Sequence, residues 1–568
     1  MDHQRFHIQW LMSFIRDSFF GRLLYHVSGH KILGYKEEKP DYVIPEKYLN
    51  GGKNECLDQE IQSSLTLEGN EAKTTKTKLC DEAESSEKAP IIVDFDGPDD
   101  PENPYNWTIY KKVLFILGIG VMTNSVYMGS AIYTPGIEQM MADLDITRVK
   151  ATLPMAMFVI GYGIGPMIFS PMSENAALGR TSIYIVTVFF FFILLIPQCF
   201  GPATHSLASL TVLRFITGIF ASPALGTGGA SASDVVTVPY MPMGIISWAM
   251  AGICGPTLGP LVGSAIINRA HGLWLWTFRF MMIISGASFL FFGITLPESL
   301  AKAILRRKAQ RLRALTGNPN IVSEGELENQ SMTLRELAID TLWRPIEILV
   351  FEPVVLLIDL YIALIYSIIF LWFEAFPAVF VDTYGFTLVE LGVTYSSVPL
   401  GMFIASLLYI AYMYHAYTRK LLEGRAEELT PEVFLLPTIV ASVVMPIGIF
   451  IFGWTASANL HWIGCLIGAA LFGAGGFIVA QTLFNYMAMS FPRYVASVFG
   501  GSALFRSLLG GCFPLFGAPL FNNLKTHKFP VAWGSTILAL ICVGMIAIPV
   551  TFHLLGPRIR AKSKYSGL

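Results

Sequence analysis

At 568 residues, 53% of them hydrophobic and only 14% charged, this chain is too apolar for a soluble globular protein, where about a quarter of residues carry charge. A formal net charge of -2 gives no electrostatic basis for a nucleic-acid partner. The cysteines at 56, 80, 199, 254, 465, 512 and 542 form no C-x-x-C pair and sit mostly in apolar stretches; they read as small core residues rather than disulfides or metal ligands.

Residues 1–110 are polar. Phe6, Ile8, Trp10, Leu11, Phe14, Ile15, Phe19, Leu23 and Leu24 alternate with Arg5, Arg16, Asp17 and Arg22. This stretch lacks the clean apolar centre of a signal peptide or a span. Two readings stay open: an amphipathic helix on the membrane surface, or docking on the protein's own cytosolic face. From Gly51 to Lys88 the chain is rich in Glu, Lys, Ser and Thr, a composition that buries too little apolar area to fold.

From Lys111 onward the apolar stretches reach the roughly 20 residues needed to cross a bilayer as a helix, the form that satisfies its own backbone hydrogen bonds without water. Twelve spans are predicted, near 111–134, 149–170, 181–200, 206–228, 240–266, 273–297, 346–371, 388–412, 432–453, 461–486, 495–521 and 530–555. The long polar loop 298–345 divides them into two sets of six. The expected organisation is a cytosolic N-terminal region (1–110), a first six-helix bundle (111–297), the central loop (298–345), a second bundle (346–555) and a basic tail (556–568). Lys302, Arg306, Arg307, Lys308, Arg311 and Arg313 in the central loop, and Arg558, Arg560, Lys562 and Lys564 in the tail, place both termini and that loop in the cytosol by the positive-inside rule.

Two halves of six imply a transporter with its substrate site near mid-membrane between the halves. Charges inside spans are costly and therefore functional candidates. Arg214 in the fourth span needs an anion, carbonyls or water, unless it snorkels at the span edge. The seventh span carries Glu352, Asp359 and Glu374. Fifteen residues of helix hold Asp359 and Glu374 about 22 Å apart, so they do not pair. Glu374, among aromatic rings toward the outer end, reads either as a protonatable group or as a vestibule carboxylate without a transport role. Arg506, Gln481 and Asn485 complete the interior polar set. The 41 Phe, 22 Tyr and 10 Trp offer stacking surfaces for flat or cationic ligands, although lipid contact and packing explain most of them. No phosphate-cradling G-x-x-x-x-G-K-[ST] occurs: Gly52-Lys53 is followed by Asn54. An ion gradient is then the expected energy source, with no cofactor.

Particular motifs add a resemblance. Asp100-Pro101-Glu102-Asn103-Pro104-Tyr105-Asn106-Trp107 resembles the D-P-x-N-P-x-N-W signature of fungal twelve-span drug:proton antiporters of the major facilitator superfamily. Gly255-Pro256-Thr257-Leu258-Gly259-Pro260 is similar to the antiporter motif of the fifth span, Leu213-Arg214 with Gly218 to the fourth-span arginine motif, and Pro171-Met172-Ser173-Glu174 with Gly179-Arg180 to the gating motif. Leu296-Pro297-Glu298-Ser299 belongs to the same pattern, which covers about residues 94–565.

The resemblance implies an all-α polytopic protein of the major facilitator fold that exports diverse amphipathic toxic compounds by alternating access in exchange for protons. Arg214 would couple protons, with Asp234 and Glu374 as further candidates. Gly255, Pro256 and Gly259 would bend the fifth helix and bring it into close contact, and Glu174 and Arg180 would lock the cytosolic side. Pro260 replaces the second glycine of the antiporter motif, and Glu174 stands further from Gly179 than in the general pattern. Tyr127, Phe158, Tyr361, Tyr366, Phe370, Phe373, Gln481, Asn485 and Phe499 are the expected substrate-cavity residues. Small-molecule drugs or toxic metabolites, protons and the lipid bilayer are the expected partners of a plasma-membrane monomer. Two alternatives remain: a same-fold transporter of a narrow solute such as a polyamine, which needs acidic pairs lining the cavity, and a membrane acyltransferase, which needs clustered histidines where the ten present are scattered.

Overall fold

The computed structural model describes residues 14–39, 42–49, 90–200, 205–331, 339–491, 494–561 and 563. The aromatic start before Phe14, the Glu/Lys/Ser/Thr tract, Cys56 and Cys80 lie outside the described residues. The chain divides into two units: Met1–Trp107 with Glu174–Thr181 and Ile294–Thr333, and Thr108–Ser173 with Ser182–Gly293 and Leu334–Leu568.

The larger unit holds the membrane helices. Among the described residues, eleven helices are long and apolar enough to cross a bilayer, and the shorter apolar helix Leu207–Ala221 stands in the place of the fourth span. Its shortness departs from the predicted 206–228. After Ala221 the helix is interrupted, resuming as Pro223–Gly226 and then Gly228–Val235; proline removes a backbone donor and glycine tolerates the turn, while composition alone reads through both. The seventh span also begins later than predicted. Pro353 pushes Glu352 out of helical geometry, to φ -99° and ψ 102°, so Arg344–Phe351 is a separate helix and the span runs Pro353–Phe376. Nearly every residue of that span is buried, which makes it an axis of its half.

Without a hydrophobic force between helices in lipid, association rests on close packing through small residues. A Cβ on Gly161 of the second span (Arg148–Glu174) would stand 2.2 Å from the Phe215 carbonyl oxygen, and one on Gly218 would stand 2.2 Å from that of Phe158. The two glycines thus let the second and fourth spans meet backbone to backbone. Across the halves, Gly163 meets Ser507 and Gly511 meets the Ala156 carbonyl, bringing the second span against the eleventh (Val495–Leu524). Gly392 on Ser264 and the Thr418 hydroxyl on the Pro239 carbonyl (2.8 Å) join the fifth and eighth spans near both ends. Cys199, Cys254, Cys465 and Cys542 are buried free thiols.

The smaller unit unites segments that are far apart in the chain. Helix Phe19–Val27 starts at Ser18, whose Oγ accepts from the Gly21 N–H at 3.1 Å. Helix Ala301–Thr316 ends at Gly317, in the left-handed region at φ 70°. Strand β1 (Ile91–Ile92) pairs in parallel with β2 (Ile321–Val322), and Tyr48, Val93, Ala309, Leu312 and Ile321 form a small core. The basic residues of the central loop are engaged here: Lys308 Nζ donates to Asp96 at 2.6 Å, Arg311 forks onto Glu37 at 3.2 Å, and Arg313 reaches Glu326 at 2.7 Å. Burial and the nearby Glu37 push the Glu102 carboxyl up to about 7, against the opposing pull of Arg311 and Arg16.

Two predictions follow from this packing and its charges. Gly161→Val forces apart the second and fourth spans and should cost about 1–3 kcal/mol, seen as earlier thermal aggregation in detergent. Gly544→Ala, with nothing within 4 Å of its new methyl, should leave that curve unchanged. For Glu102, a folded value above the ordinary 4.5 means that protonation favours the folded unit. Stability is full below about 4.5 and falls as pH rises to about 7, on the order of 3 kcal/mol. Glu102→Gln should therefore slow hydrogen exchange of residues 91–107 at pH 8 and do nothing at pH 4.

Candidate functional site

Arg214 is wholly buried, not snorkelling. Its Nη2 donates to the Gly129 carbonyl at 2.6 Å and the Ser130 carbonyl at 3.2 Å. These carbonyls are available because the first span leaves α-helical geometry after Tyr127 and enters a 3-10 turn, Met128–Ser130. The guanidinium lies 4.3 Å from the Phe158 ring centre, with Phe278 and Tyr133 at 5.4 and 5.7 Å. Tyr133 is fixed in turn, donating to the Ala151 carbonyl (3.0 Å) and accepting from the Met155 N–H (3.1 Å). Nε and Nη1 of Arg214 have no hydrogen-bond partner among the described residues. The arginine is thus held by dipoles and π faces, with part of its donor capacity unspent.

The fifth span, Met241–Arg269, continues through Pro256 and Pro260. Its Gly255, Gly259 and Gly263 form a stripe against the first span: their Cβ positions would stand 3.2 Å from Tyr127, 2.9 Å from the Met128 carbonyl oxygen and 1.9 Å from that of Ile132. The antiporter motif therefore packs on the same turn that supplies Arg214 with its carbonyls.

In the second half Asp359 is fully buried, and neither carboxylate oxygen has a hydrogen-bond donor among the described residues. Ser502 and Arg506 of the eleventh span flank it without closing a bond. Arg506 lies over Tyr366 at 5.3 Å and Phe484 at 5.5 Å, and is a polar neighbour of Tyr162 in the other half. Tyr162 stacks on Tyr127 at 4.9 Å. A carboxylate, an arginine and unpartnered buried tyrosine hydroxyls thus meet where the halves join. Buried unsatisfied groups of this kind are costly, which suits a site that rearranges.

Glu374 is not isolated. Arg148 at the start of the second span donates through Nε to its Oε2 at 2.7 Å, and Thr152 donates to Oε1 at 3.1 Å. Its partners stand 226 and 222 residues away, so nothing in the local sequence announces them. The pair bridges the two halves at one end of the bundle.

The aromatic candidates divide. Tyr366, Phe370 and Phe373 form a ladder along the seventh span, with successive ring centres 5.5 and 5.7 Å apart. Phe499, half-buried, abuts Phe484 at 5.3 Å and so joins the Arg506 group. Phe158 lies under Arg214. Tyr361 instead turns toward Ser442 and Cys542 of its own half, and Asn485 donates to the Tyr409 hydroxyl at 3.0 Å; both are internal to the second bundle. Gln481 is buried, and Asp234 is half-buried on Gly228–Val235.

Of the gating motif, Glu174 is exposed, while Arg180 is buried and its N–H donates to Glu298 Oε1 at 2.9 Å. Glu298 also meets Arg307 at 3.2 Å and Arg22 at 3.5 Å. Burial raises its carboxyl, but Arg307, Arg22 and the two backbone donors outweigh this and hold it below the ordinary range. Gly179, at φ 74°, lies against this carboxylate, and a Cβ there would stand 2.2 Å from Oε2. The hub of this motif is thus Glu298, from the Leu-Pro-Glu-Ser sequence.

The Major Facilitator Superfamily profile matches residues 119–514. The chain is 50% identical over 559 residues to the cycloheximide resistance protein of Candida maltosa, covering 98% of this chain and 100% of that one. It is 39% identical over 510 residues to the multidrug transporter FLR2 of Candida glabrata, covering 90% and 85%. The xylose transporter XylE from E. coli, in a partially occluded inward-open conformation, superposes with a TM-score of 0.51 at 14% identity, covering 78% of this chain and 99% of that one.

A double-mutant cycle of Arg148→Gln and Glu374→Gln should return a coupling on the order of 1–3 kcal/mol, read from thermal unfolding in detergent. Additive single effects would show the pair to be energetically idle.

Proposed function

The chain belongs to the major facilitator superfamily, and from that premise we propose that it is a multidrug efflux transporter driven by proton exchange. The observation carrying this reading is the likeness, over nearly the whole of both chains, to proteins named for drug resistance. On the orientation given by the loop charges, both termini are cytosolic, the protein acts as a monomer in the plasma membrane, and the Arg148–Glu374 pair closes the outer end.

Alternating access then has identifiable parts. An amphipathic toxic compound enters from the cytosol or inner leaflet and settles against the Tyr366–Phe370–Phe373 ladder and the Tyr127–Tyr162 stack. A proton taken up by Asp359 weakens its attraction to Arg506 and frees that arginine to reorganise with Tyr162 across the halves. Arg214 keeps the first, second and fourth spans in register through the cycle and uses its unspent donors when the first-span turn shifts. Opening to the outside requires parting Arg148 from Glu374. Each state change draws on differential binding of proton and substrate.

Efflux of a fluorescent dye such as nile red from yeast lacking its own pumps tests the reading. Export should collapse with a protonophore while ATP is held constant, and its persistence would refute proton coupling. Arg214→Ala should abolish export with protein still at the surface. Asp359→Asn should lose uphill export and its pH dependence yet still bind dye; a normal pH profile in that variant would remove Asp359 from the proton path.

A further inference from the structure

Within the smaller unit, helix Phe19–Val27 and helix Ala301–Thr316 border a cavity of about 340 Å³, within the range of small-ligand sites. Its walls carry positive charge from both sides. Arg22 and His26, four residues apart, come from the first helix, with His30 just beyond its end. Arg307, Gln310, Arg311 and Ala314 recur at three- and four-residue spacing, so they form one face of the second helix. Among the described residues Glu38 is the one acidic residue lining the cavity, and it is taken up by the Tyr25 hydroxyl and by His30 at 4.0 Å. Two further carboxylates, Glu298 and Glu37, brace Arg22, Arg307 and Arg311 from outside the lining.

Three arginines and two histidines line this one cavity, and arginines are the usual partners of phosphate oxygens. The surrounding rings suit a ligand with a flat or polyol body: Tyr25 stacks on His30 at 4.3 Å, and Tyr35 lies beneath the Arg311 guanidinium at 3.8 Å. We propose that this cavity binds a small phosphate-ester anion, with Arg22, Arg307 and Arg311 facing the phosphate and the two histidines beside it. Burial first, and then the neighbouring Arg307, brings the Arg22 guanidinium down to about 10, and burial, His30 and the two arginines lower His26, whereas, against burial, Glu37 raises Arg311. All of the lining belongs to the smaller unit, and the proposal does not rest on the efflux reading.

The test uses the full chain in nanodiscs of neutral lipid at physiological salt, with inositol hexakisphosphate and ATP as soluble probes. Nanodiscs containing phosphatidylinositol bisphosphate form the lipid arm, read by protection of residues 19–27 and 301–316 from hydrogen exchange. Gln310→Glu and Ala314→Glu place a negative charge at exposed helical positions without removing an ion pair, so the fold is retained. Saturable binding of a soluble probe, weakened about ten-fold or more by either variant, supports the site with a free anion as ligand. Protection confined to the lipid arm and lost in the same variants supports it with a headgroup as ligand. Binding no tighter than that of sulfate in every arm, or equal binding by both variants and the parent chain, overturns it.

Discussion

A guanidinium cannot shed its charge, and one removed from water must be met by dipoles or counter-charges at a desolvation cost of several kcal/mol. Much of the first half is arranged around that constraint at Arg214. The first span gives up regular helix at Met128–Ser130 so that two carbonyls turn toward the side chain. Gly161 and Gly218 bring the second span close enough for Phe158 to lie beneath it. The glycine stripe of the fifth span then packs against that same irregular turn. Removing any of these would leave the charge without part of its environment, so sequence motifs that stand far apart in the chain serve one electrostatic problem.

The second half handles charge differently. Asp359 is buried beside a half-buried Arg506, and among the described residues its carboxylate closes no hydrogen bond, so neither the ionised nor the neutral carboxyl is strongly fixed by geometry. One half therefore holds a permanent charge firmly, while the other holds a titratable group loosely. Tyr162, reaching toward Arg506 from the second span, sets a polar side chain of one half beside a charge of the other. The Arg148–Glu374 pair places a second electrostatic contact between halves at the end of the same two spans.

Much of this was legible in the sequence. Spans announce themselves because lipid demands long apolar helices, and Arg214 stood out because a charge inside such a helix needs a reason. Helix breaks were less visible: hydropathy reads smoothly through Pro223 and Pro353, where the backbone does not. The aromatic candidates were harder still. The seventh span is apolar all round and buried nearly throughout, so no amphipathic pattern tells that Tyr366 faces Arg506 while Tyr361 turns inward toward Ser442. The partners of Glu374 were invisible because they lie in the other half. The smaller unit was hidden for a different reason: charge-rich segments read as solvated loops, and nothing local reveals that Lys308 meets Asp96 or that Ile91 pairs with Ile321.

The small core that joins Tyr48 and Val93 to Ala309, Leu312 and Ile321 has a geometric consequence. Both ends of the tract between Tyr48 and Val93 are anchored in one place, so the spacing of its ends is set by the core and not by the number of residues between them. Closing a chain between fixed points costs only about 0.6 kcal/mol more for each doubling of its length. The separation of the two anchors, Tyr48 and Val93, is therefore a property of the core they share with the helix Ala301–Thr316 and the strand Ile321–Val322.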